Sequence, residues 1–71
     1  MNYRALLATL PPEVGWEVGD DEEHPGRFYA EAHWDDPVNR IHQSLRYVNE
    51  PTLLAAVRIL VADLPAAMAR D

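Results

Sequence analysis

The side chains best suited to chemistry gather in one short span of the chain. Tyr29, Glu31, His33 and Asp35 alternate with small or apolar residues, and His42, Ser44 and Arg46 repeat the pattern a few positions on. Alternation at period two places each set on one face of a strand. In a hairpin turning at Asp36-Pro37-Val38-Asn39, with Trp34 opposite Ile41 and Ala30 opposite Leu45, His33 meets His42, Glu31 meets Ser44, and Tyr29 meets Arg46. Two imidazoles so placed supply nitrogen ligands for a divalent metal, with Asp35 or Glu31 adding oxygen. The same pair serves a pH-sensitive surface, because two close imidazoles resist double protonation. It also reads as two ordinary exposed histidines on a polar face.

Tyr29 with Arg46 makes a cation–π or hydrogen-bonded pair. Beside Glu31 and Glu17 it has the aromatic-plus-arginine character of protein-binding hot spots. The run Asp20-Asp21-Glu22-Glu23 offers an electrostatic contact to a basic partner, a cation site, or simply a solvated turn. A calcium loop requires alternating oxygen ligands and a glycine at set positions, which a run of consecutive acids does not supply. Catalysis has little to work with. The chain has no cysteine and no glycine-rich phosphate loop. Ser44 lies close to His42 in sequence, but nearness on one strand face does not make an oriented base. The expectation is a chain without enzymatic activity and without a cofactor.

Charge narrows the partners. Twelve acids oppose six bases, all arginine, for a net charge of −6 over 71 residues. That sign repels phosphate backbones, so direct nucleic-acid binding is disfavoured. It favours a larger basic protein, including one whose nucleic-acid-binding groove these carboxylates would occupy. Without cysteine there is no disulfide and no thiolate metal site, which fits a reducing cytoplasm. The N-terminal apolar run, Ala5 to Ala8, is too short for a signal peptide and is closed by Pro11-Pro12. No stretch approaches the ~20 apolar residues of a membrane span.

The elements that must position these groups follow from periodicity. Asn2 caps a short helix to Leu10, with Tyr3, Leu6, Leu7 and Leu10 on one stripe, and Pro11-Pro12 ends it. Val14, Trp16 and Val18 mark the inward face of a first strand over Glu13 to Gly19. Arg27 to Asp35 forms the second strand, with Phe28, Ala30, Ala32 and Trp34 inward. Arg40 to about Val48 forms the third, with Ile41, Leu45 and Tyr47 inward and Gln43 interrupting that face. Asn49 caps a second helix from about Glu50, with Pro51 in its first turn and an apolar stripe through Leu53, Leu54, Val57, Leu60, Val61, Leu64 and Met68. Pro65 should break it near Leu64, with Asp63 recapping a last turn. The fold class is α+β: a single domain over residues 1–71, ordered α-β-β-β-α, a three-stranded antiparallel meander with both helices on one face.

That order resembles the double-stranded-RNA-binding domain, an α-β-β-β-α unit of about this length. The resemblance covers nearly the whole chain and rests on topology. It implies phosphate contacts from a basic cluster opening the second helix and from the loop between the first two strands. Here those stretches read Asn49-Glu50-Pro51-Thr52, with no base until Arg58, and Asp20-Asp21-Glu22-Glu23. The shape carries over and the RNA chemistry does not.

The expected function is that of a small acidic protein-binding module: an inhibitor, antitoxin or accessory subunit, of the sort phages also encode. Glu17, Asp20, Asp21, Glu22, Glu23, Tyr29, Glu31, His33, His42 and Arg46 would meet the partner. Carboxylates, with Asp35 and Asp36 among them, would stand where nucleic-acid phosphates otherwise sit. The alternatives are a metal- or pH-responsive module built on His33 and His42, and a degenerate double-stranded-RNA-binding-like domain. Met68 and the alanines after Pro65 offer a homodimer seam or complete the core.

Overall fold

Five elements appear in the expected order in a computed structural model that describes residues 2–69: α1 (Tyr3–Leu7), β1 (Gly15–Asp20), β2 (Phe28–Asp35), β3 (His42–Glu50) and α2 (Leu53–Met68). The strands form one antiparallel meander in the order β1-β2-β3. No helix among the described residues is long and apolar enough to cross a membrane.

Asn2 caps α1, its side chain accepting from the Ala5 amide at 2.8 Å. The helix ends at Leu7 rather than Leu10 because the chain tightens. Thr9 N and Leu10 N bond the carbonyls of Leu6 and Leu7 three residues back, and the Thr9 hydroxyl donates to the Leu6 carbonyl at 2.6 Å. α2 packs across β2 and β3, and α1 lies against α2. Ala30 and Ala32 of β2 and Ala56 of α2 are completely buried, as are Val57 and Leu60. Without bulk on either side at these positions, helix and sheet approach closely, and Leu7, Val14, Trp34 and Leu64 fill the surrounding volume. Tyr47 fastens α2 to the sheet, its hydroxyl donating to the Asp63 carboxylate.

Several expectations need correction. The β2–β3 register is offset by two residues: Trp34 pairs with Gln43, Ala32 with Leu45, Ala30 with Tyr47, Glu31 with Arg46, His33 with Ser44 and Asp35 with His42. The turn sets this. Asp36 Oδ1 accepts from the amides of Val38 (2.8 Å) and Asn39 (3.3 Å), and Arg40, at φ 58°, adopts the left-handed conformation that closes a longer loop on Asp36. An offset of two preserves both faces. These bonds also hold the Asp36 carboxyl below its ordinary value. Ile41 consequently precedes the ladder and is exposed.

Asn49 does not cap α2. It ends a bulge in β3 at φ 59°, with Val48 and Asn49 together facing the single residue Tyr29. Thr52 is the cap, accepting from the Ala55 amide at 3.0 Å. Trp16 takes the helix side of β1 opposite Ala32 but remains 48% exposed, because α2 covers β2 and β3 and leaves the β1 margin open.

Pro65 lies inside α2 without ending it, and Asp63 is helical rather than a new cap. Only one bond is lost, near the C-terminus, and Ala66, Ala67 and Met68 continue the helix, the last two against the core. Pro65→Ala restores the missing donor. It is expected to raise stability by roughly 1 kcal/mol, read as a higher urea midpoint with the m-value unchanged.

Candidate functional site

The face opposite the helices carries the groups singled out above, and β1 decides where they lie. Gly15 pairs with His33 and Gly19 with Tyr29. A side chain at Gly15 would collide with the ring across from it, and one at Gly19 would crowd it. A Cβ on Gly15 would stand 2.3 Å from His33 Cε1, and one on Gly19 3.2 Å from Tyr29 Cε1. Both rings therefore lean over bare backbone, a cross-strand arrangement that offsets the poor strand propensity of glycine.

Tyr29 then has two charged neighbours. The Arg46 guanidinium carbon lies 4.5 Å from its ring centroid, and partial burial followed by the nearby Glu17 charge holds its hydroxyl above the ordinary value. Arg46 also donates to Glu31 Oε1 at 3.2 Å. Tyr29 and Arg46 thus meet diagonally rather than directly, and the offset register adds the Glu31 ion pair to the expected contact.

The Tyr29–Arg46 pair lies in a shallow groove of about 900 Å³ rimmed by Glu17, Asp20, Glu22 and Glu23. Comparison with family models, curated proteins and solved structures finds no match to this chain. The likeness to the double-stranded-RNA-binding domain is therefore one of element order. The groove itself is mixed: acidic at its edge, aromatic and cationic at its floor.

Sequence grouped Asp21 with three acids that the structure separates from it. Asp20, Glu22 and Glu23 are exposed, whereas the Asp21 side chain is only 5% exposed. Its Oδ1 accepts from the Glu23 amide at 3.1 Å, and its Oδ2 pairs with His24 Nδ1 and accepts from the Asn49 amide, both at 2.8 Å. Burial opposes ionisation, but the bonds from His24, Asn49 and Glu23 outweigh it, and the carboxyl lies below its ordinary value. Arg27 closes the same knot from the other end of the loop, donating to the Asn49 carbonyl at 2.8 Å and to its side-chain oxygen at 3.0 Å. Gly26, at φ 81°, makes the turn between them. Asp21 is the root of the loop, and its three acidic neighbours are the presented surface.

The histidines do not converge. Their ring centroids are 5.5 Å apart and tilted by 43°, but His33 turns its Nδ1–Cε1–Nε2 edge onto Gly15, toward β1. His42, on β3, bonds Asp35 Oδ1 through Nδ1 at 2.9 Å. Among the described residues, no group of three or more histidine, cysteine or carboxylate side chains is placed to hold a metal ion. Ser44 faces His33 across the ladder.

Sequence reasoning gave no site role to Gly15, Gly19 and Arg27, and gave Asn49 only that of a helix cap. The signal for the glycines was available: spaced four apart on β1, they share the open face with the aromatic residues of β2. Gly15→Ala is expected to leave the fold intact while driving the His33 ring off its seat. Large shifts of the His33 ring resonances, with the core methyl signals unchanged, would establish this, and an unmoved ring would refute it.

Proposed function

We propose that this chain is a small, acidic, non-catalytic protein-binding module that docks on a larger basic partner through the groove at the Tyr29 end of its open sheet face. The observation that carries this reading is the pairing of a Tyr29–Arg46 floor with the carboxylate rim of Glu17, Asp20, Glu22 and Glu23. Tyrosine and arginine dominate the energetic centres of protein interfaces, and a ring of like charge steers an oppositely charged partner. Inhibitors, antitoxins and accessory subunits all use such a surface. A partner whose groove otherwise holds nucleic acid matches the sign of these acids.

The test is affinity capture with immobilised wild-type chain against two variants, Tyr29→Ala with Arg46→Ala, and Glu22→Gln with Glu23→Gln. A basic protein that binds the wild type should be lost with the first variant and should associate several-fold more slowly with the second, with the difference shrinking in high salt. Capture indifferent to both variants would overturn the reading.

A second reading draws on the 5.5 Å separation of His33 and His42. Protonation of both would put two positive charges on the stretch of the open face that also carries the Asp35 and Glu31 carboxylates, making docking pH-dependent. Partner affinity unchanged between mildly acidic and neutral pH would dispose of it.

A further inference from the structure

The two margins of the sheet are unequal. β3 is interrupted by its bulge, and Asn49 within it is engaged through its amide, its carbonyl and its side chain. β1 has no proline, no bulge and no lysine; its two charges are Glu17 on the open face and Asp20 at its last position, opposite Phe28, so the stretch from Gly15 to Gly19 has no charge on the helix side. Among the described residues it pairs with β2 alone, so its other row of backbone donors and acceptors is available. Beside that row stands Trp16, half exposed on the helix side.

Charge identifies the occupant. From Glu13 to Gly26 the chain holds six of its twelve acids and no arginine. Of these six, only Asp21 is buried; the other five are exposed on β1 or its flanks. A second copy of this edge would bring like charges together. A basic segment would complement them.

Resting on the reading of the chain as a protein-binding module, we infer that β1 receives an extended, arginine- or lysine-rich segment of the partner as a fourth strand, with an apolar side chain of that segment covering Trp16. Main-chain bonds would supply affinity, and alternation would supply specificity: basic side chains toward Glu17, apolar ones toward Trp16.

The experiment uses the isotope-labelled chain and a short blocked peptide alternating arginine and valine, alongside the same peptide methylated on alternate backbone nitrogens. The parent peptide should slow hydrogen exchange at the β1 amides that β2 leaves unbonded and should shift the Trp16 indole resonance. The methylated peptide keeps every charge but cannot complete the ladder, so it should bind at least about tenfold more weakly. Trp16→Ala should weaken the parent peptide about fivefold without unfolding the chain, since Trp16 stands largely outside the buried core. Equal binding of both peptides, or shifts confined to Tyr29, Arg46 and the 20–23 loop, would overturn strand addition while leaving the docking reading standing. Binding by neither peptide at low salt would also overturn it, with the capture experiment deciding the docking reading separately. Concentration-dependent protection of β1 amides in the chain alone would assign the edge to a second copy and overturn the inference.

Discussion

Asp21→Ala is expected to lower the melting temperature by about 10 °C, the largest effect of any polar substitution in the chain. The carboxylate satisfies two backbone amides and one imidazole from three positions, Glu23, His24 and Asn49, the last of which lies 28 residues away in sequence. Alanine leaves the Asn49 amide without its acceptor, where a residue at φ 59° already holds an uncommon conformation. The loop between β1 and β2 and the end of β3 lose their common anchor together. The effect should depend on pH in a defined direction. A folded-state carboxyl held below its ordinary 3.8 contributes stability above that value and loses it as pH falls through the depressed one. Melting curves of the two proteins should thus differ most near neutrality and converge below about pH 4. A gap that stays constant in acid would show that the carboxylate charge is not what holds the loop.

Leu60→Ala should cost about 3 kcal/mol. Leu60 is completely buried on α2, beside Val57 and Ala56 and facing the alanines of β2. The truncation leaves a cavity that an alanine-lined seam has no bulk to fill. A chain of this size holds roughly 4–10 kcal/mol in all, so the variant would lose about 30% or more of its stability. Urea unfolding should show the midpoint falling with little change in slope. A loss under about 1 kcal/mol would mean that helix and sheet can close the gap, contrary to the tight approach described above.

Element order, the two sheet faces and the alanine seam were legible in the sequence because each rests on a period repeated over several residues. Phe28 to Trp34 alternates without a fault, and the observed faces follow it. What was not legible rests on single backbone conformations. Arg40 occupies the left-handed region without being glycine or asparagine, so the turn read two residues too short and every β2–β3 partner was offset. Asn49 has the composition of a helix cap and also of a left-handed bulge residue, and only the bonds from Asp21 and Arg27 decide between them. The four acids at positions 20–23 are alike in composition, and nothing local distinguishes the buried one. At the candidate site the residue types of the open face were read correctly. The seating of the two rings was not, because it depends on side chains that Gly15 and Gly19 lack.

The knot at Asp21 also bears on the thermodynamics of recognition. A loop of acids free to wander would surrender its conformational freedom upon meeting a partner, and that loss would offset much of the attraction. Here the loop is closed at both ends by bonds formed during folding, so Glu22 and Glu23 reach an encounter already ordered. In the proposed docking, association at this rim should accordingly carry a small entropic penalty for its length, and loosening the knot should weaken binding even though the Asp21 side chain is itself buried.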